Sequence, residues 1–154
     1  MAPRRARAQT ESGRGMSRPA ERLEVALRDP AVVGTLLQRA VDEIDDVAHA
    51  IMTTRDGLVV AANREADGPP GADTLAMRGS AMAAAASGIG DHFTTLVRQG
   101  RLHASVFEAE RGCVGVFPVS ATLLLVVAGG PAVTMGRFNA AAKRVLALLQ
   151  TPDA

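Results

Sequence analysis

No tryptophan or tyrosine occurs in this chain and only four phenylalanines do, so a core must be filled by Val, Leu, Ile, Met and Ala. Cysteine is almost missing. Cys113 stands alone, which excludes an intrachain disulfide and a cysteine-based zinc site; it fits a reducing compartment, and a cytoplasmic location is expected. Histidine is scarce as well. His49, His92 and His103 fall in separate predicted elements without metal-ligand spacing, and neither a metal nor a cofactor is expected. No apolar run follows the N-terminal arginines, which argues against a secretory signal.

What remains is a chain of 154 residues, the size of one ordinary domain. Its charge is uneven. Residues 1–22 hold six arginines against two glutamates, a net +4, whereas residues 23–154 carry a net −3. Residues 1–17 have almost no large apolar groups and read as a disordered basic tail. No aromatic is interleaved with the tail arginines and no basic face emerges beyond them, so specific nucleic-acid binding is not expected.

The rest divides into a short helical extension over residues 18–29, carrying Leu23, Ala26 and Leu27, and a domain over 30–150. Asp29 is placed to cap a helix with Pro30 at its first position, and Val33, Leu36, Leu37, Ala40, Val41 and Ile44 recur at helical spacing. The runs AHAIMTT and LVVAAN flank Arg55-Asp56-Gly57 and predict a hairpin, because Gly supplies the positive φ such a turn demands. Residues 64–73, READGPPGAD, read as a loop. Beyond the next helix, three strands are predicted: Arg101 to Ala109, CVGVFPV and TLLLVVA. The last two fall in a stretch of 25 uncharged residues between Arg111 and Arg137, long enough to span a membrane, but Pro118 and five glycines interrupt it. No transmembrane segment is expected. Gly129-Gly130-Pro131 then opens a final helix with Met135, Phe138, Ala142, Val145 and Leu149 on one face.

The segment from Leu75 to Phe93 stands out, being built almost entirely of Ala, Gly, Ser and Met. It predicts a helix ending near Gly88 to Asp91. Placing Leu75, Gly79, Met82, Ala86 and Ile89 against the chain's own sheet leaves a second stripe of Ala76, Ser80, Ala83, Ser87 and Gly90, small enough to admit another backbone. Two contacted sides point to an interaction protein.

Candidate chemistry is sparse. Asp91 beside His92 reads as local capping, and Cys113 as a small core residue. Gly88-x-Gly90 ends a helix, the wrong context for a phosphate loop, whereas Gly129-Gly130-Pro131 enters one, where free N–H groups can hold an anion or simply form a turn. Asp42, Glu43, Asp45 and Asp46 crowd the end of the first long helix against its dipole and read as a solvated face. No catalytic set emerges, and an enzyme is not expected.

His49-Ala50-Ile51-Met52, then Asp56-Gly57-Leu58-Val59-Val60-Ala61, then Ala86-Ser87-Gly88 and the meander from Ser105 to Ala128 together resemble the roadblock/dynein light chain family. The bacterial branch is most similar, in particular the small proteins that accompany Ras-like GTPases in actinobacterial gene clusters. The resemblance covers residues 30–149. It implies an α/β (α+β) domain of order α-β-β-α-β-β-β-α, with a five-stranded antiparallel sheet flanked by helices in a profilin-like or longin-like roadblock fold. It also implies a homodimer in which third strands pair and second helices pack. Those elements map to Leu102 through Phe107 and Gly79 through Ser87, giving Ala76, Gly79, Ser80, Ala83, Ser87, His103, Ser105 and Phe107 as expected contacts. The implied function is non-catalytic regulation or scaffolding of a Ras-like small GTPase, with Arg78 and Asp91 as expected partner contacts. A small-molecule sensor with a pocket between sheet and helix is the alternative.

Removal of residues 1–17 is expected to move the melting temperature by less than about 2 °C, a fraction of a kcal/mol for a domain this size. Scanning calorimetry of the shortened chain checks this; a larger drop would mean that the tail is docked.

Overall fold

A computed structural model describes residues 19–150. The basic tail, residues 1–17, lies outside the described residues. Helix α1, Pro19–Leu27, leads into α2, Pro30–Glu43, whose cap is the expected one: the Asp29 carboxylate accepts from the Ala31 N–H at 3.0 Å with Pro30 at the start. Val33, Leu36, Leu37 and Ala40 are the buried side of α2.

The hairpin follows as β1, Val47–Thr54, and β2, Val59–Ala62, with Gly57 at φ +91° in the turn. The expected loop over 64–73 is corrected in part, since Arg64–Asp67 form a one-turn helix, α3, that buries Ala66. Gly68 at φ +64° ends it. Helix α4, Leu75–Leu96, runs past the expected stop at Gly88 to Asp91. Each glycine costs roughly 1 kcal/mol of helix propensity, too little to end a long helix held down by packing. At Gly90 the missing side chain has a use, because a Cβ there would come within 2.7 Å of Leu102 Cδ2.

The meander consists of β3, Ser105–Ala109, β4, Gly112–Pro118, and β5, Leu123–Gly129. The third strand starts four residues later than the sequence period suggests. Arg98 and Gly100 adopt positive φ, and Leu102 turns inward to cover Gly90 instead of continuing the ladder. Helix α5, Met135–Gln150, closes the chain. It begins beyond Gly129-Gly130-Pro131, and of the two readings of those glycines the turn is the one observed. The Gly130 N–H is already used, donating to the Asp46 carbonyl at 2.9 Å.

All strand pairs are antiparallel, in the order β2-β1-β5-β4-β3. Side-chain alternation splits β5 between two faces: Leu123, Leu125 and Val127 join the larger core under α2 and α5, whereas Leu124 and Val126 join a smaller core under α4. The free thiol of Cys113 is buried in the larger core.

Leu27 places α1 in the same core, fully buried beside α2. Leu27→Ala is expected to cost about 2–4 kcal/mol, because the cavity adds to the lost transfer energy. Urea unfolding monitored by circular dichroism measures it, and a change near zero would show that α1 is not part of the folded unit.

Candidate functional site

Helix α4 lies on the sheet with its small residues inward. Ala76, Ser80, Ala83 and Ser87 are each at most 3 % exposed, and Gly79 sits so close to β1 that a Cβ there would be 3.2 Å from Ile51 Cδ1. This reverses the expected orientation: the small stripe seats the helix on its own sheet and is not its second surface. The physical reason is distance. Backbone can approach a sheet of Ile51, Leu124 and Val126 closely only where the facing side chains are small.

The large residues consequently face outward. Met82 is 71 % exposed and Ile89 68 %, and Leu75, Phe93 and Leu96 are exposed with them. Leu75, Met82, Ile89 and Leu96 recur every seven residues and so share one stripe. The spacing is visible in the sequence, but nothing there says which stripe turns inward.

Next to this stripe the sheet ends in β3, which among the described residues pairs only with β4 and leaves its other edge open. Of the expected contacts on this edge, Ser105 is half-buried at the strand start and Phe107 is 56 % exposed. His103 is exposed and precedes the strand. Val114, directly opposite Phe107, is exposed as well and had no signal in the sequence beyond its strand position. Between α4 and this part of the sheet runs a groove of about 500 Å³.

The charged flanks are engaged within the chain. Arg78 donates to the Asp73 carboxylate through Nε at 2.9 Å, and that hydrogen bond holds the Asp73 carboxyl below its ordinary range. Asp91 pairs with Arg55 at 3.2 Å, not with His92, which corrects the capping expected between neighbours. Arg55 also donates to the Ser120 carbonyl, and Arg137 pairs with Asp46 at 3.1 Å in the acidic cluster. Among the described residues, no three His, Cys, Asp or Glu side chains come together as metal ligands, and no helix is long and apolar enough to cross a membrane.

An antiparallel sheet of order β2-β1-β5-β4-β3, with one long helix on one face and two on the other, superposes on a known architecture. The fold is that of the roadblock/LC7 domain. A roadblock/LC7 domain from Streptomyces avermitilis superposes with a TM-score of 0.63 at 16% identity, covering 76% of this chain and 93% of that one. Myxococcus xanthus MglB superposes equally well, with a TM-score of 0.63 at 10% identity over 79% of this chain and 86% of its own. An MglB with a tetrameric arrangement gives a TM-score of 0.60 at 18% identity, covering 89% and 91%. No family model and no curated protein matches the sequence. The likeness is therefore one of architecture.

The hydroxyls of Ser80 and Ser87 are buried under α4 with no hydrogen-bond partner among the described residues. Each is a desolvated polar group in a helix that alanine would suit better. Ser80→Ala and Ser87→Ala are each expected to raise stability by about 0.5–1.5 kcal/mol in urea titrations. A loss of stability in either variant would refute the packing described for this face.

Proposed function

We propose that this protein is a homodimeric, non-catalytic subunit that regulates or scaffolds a Ras-like small GTPase. The observation that carries the dimer is the outward apolar stripe of α4 lying beside the open edge of β3. Burying one large apolar side chain gains about 1.5–3 kcal/mol, so a face offering Leu75, Met82, Ile89 and Phe93 together gains by association. A two-fold axis beside β3 would pair that strand with its copy and bring α4 against α4, covering Phe107 and Val114 in the same step. The tetrameric arrangement of the MglB with this fold supports association between copies as a use of the architecture.

The GTPase half rests on the resemblance of residues 49–61, 86–88 and 105–128 to bacterial roadblock proteins that accompany Ras-like GTPases, together with the shared fold. The partner supplies the phosphate chemistry in this reading. Gly88 and Gly90 are inside α4, where their N–H groups serve the helix, and Cys113 is enclosed in the core. Arg78 and Asp91 flank the paired helices and are the charges assigned to the GTPase contact, each already oriented by an intrachain partner. Nothing in this role requires a bound cofactor, and the protein is assigned to the cytoplasm, where such GTPases work.

Met82→Arg and Ile89→Arg place a charge where the copies would meet and leave the buried side of α4 untouched. Both are expected to scatter light as a single chain near 16.0 kDa while keeping the wild-type circular dichroism spectrum. A wild-type chain that is already monomeric, or variants with unchanged mass, would remove the interface. Mixing the wild-type protein with the Ras-like GTPase encoded beside its gene is expected to shift its elution and change nucleotide exchange or hydrolysis. No effect on either would remove the GTPase assignment.

A further inference from the structure

We infer that the open edge of β3 selects its own copy by charge, the basic segment of Arg98 and Arg101 before the strand meeting the acidic segment of Glu108 and Glu110 at the end of the second copy's strand. This rests on the two-fold pairing proposed above and says what that pairing recognises. From His92 to Phe107 the sequence holds two arginines and no carboxylate, a net +2. Residues 108–111 hold two glutamates and one arginine, a net −1. One strand edge therefore carries opposite charge at its two ends. Arg98, Arg101, Glu108 and Glu110 are all exposed, and among the described residues none of their side chains has a hydrogen-bond or ion-pair partner.

The backbone fixes both ends. Helix α4 stops at Leu96, after which the Arg98 N–H donates to the Thr95 carbonyl at 3.1 Å and the Gln99 N–H to the Thr94 carbonyl at 2.8 Å, with Arg98 at φ +58°. Leu102 is buried against Gly90 and anchors the segment beside Ser105, the first residue of the ladder. Arg101 precedes that anchor directly. At the far end Ala109 stands opposite Gly112, so Glu110 and Arg111 make the turn into β4. A two-fold axis through β3 pairs the strand with its copy antiparallel by necessity, and the start of each strand then lies at the end of the other, twice per dimer. A parallel approach would set like charge beside like. The apolar contacts of Phe107, Val114 and α4 supply the affinity in this arrangement. The exposed charges contribute little attraction singly and act by rejecting a chain whose edge carries the wrong sign.

Two full-length variants decide it, Arg98→Glu with Arg101→Glu in one chain and Glu108→Arg with Glu110→Arg in the other. Each alone meets like charge at both ends of its own dimer, and its self-association is expected to weaken at least roughly tenfold in dilute buffer. Mixed, the two meet opposite charge at both ends, and native mass spectrometry is expected to show the heterodimer well above its statistical share. A chain carrying all four reversals is expected to dimerise like wild type. In about 1 M salt, where the Debye length is about 3 Å, these differences should shrink. Circular dichroism checks the fold of each variant, and the single reversals Arg101→Glu and Glu108→Arg carry the same test at smaller amplitude should a double variant misfold. A wild-type dimer with reversed chains that associate as tightly, or that mix only statistically, overturns the inference and leaves the dimer standing. A monomeric wild-type chain overturns the pairing itself and the inference with it.

Discussion

The approach of α4 to the sheet governs the rest of this molecule. A helix seated through Ala76, Ser80, Ala83 and Ser87 comes close enough for Gly79 to meet Ile51, and the cost is that this side holds little apolar surface. The core under α4 is accordingly the smaller of the two, and the bulk of the burial falls to α2, α5 and α1 on the other face. Large side chains that a conventional amphipathic helix would point inward have nowhere to go but out. A helix held this tightly over β1 meets β3 at its start, where Ser105 lies against Gly90, and leaves Phe107 farther along that strand exposed.

The turn end of the sheet shows how polar groups hold this geometry. Arg55 joins the β1–β2 turn to the Ser120 carbonyl and to Asp91 on α4, and Glu24 of α1 and Arg28 just beyond that helix both engage Thr122 in the same β4–β5 turn. Partly exposed pairs of this kind contribute at most about 1 kcal/mol each, so their effect is to fix position more than to stabilise. They tie both faces of the sheet to one pair of turns, and with them the register of α4 along β1.

The proposed association bears on the same surface. A second copy seated on α4 would roof the groove beside it and cover Phe107 and Val114. A two-fold assembly would also present both α4 helices as one platform, which is how a symmetric pair of small domains can offer an asymmetric GTPase a surface larger than either possesses.

Much of the architecture is legible in the residues themselves. Asp29-Pro30 with the period of Val33 to Ala40 specifies α2, Asp56-Gly57 specifies the hairpin, and the runs around Pro118 and Gly129 specify two strands and not a membrane span, because caps, turn glycines and periodicity act within a few residues of one another. The short α3 and the late start of β3 are not legible, since Ala66 and Leu102 take their positions from surfaces distant in sequence. The same limit decides the candidate site. The sequence displays two stripes on α4, one small and one large, and their spacing alone determines that they lie on different sides of the helix. Which side turns inward is a matter of how near a sheet can be approached, a property of Ile51, Leu124 and Val126 once assembled, and only the tertiary structure decides it.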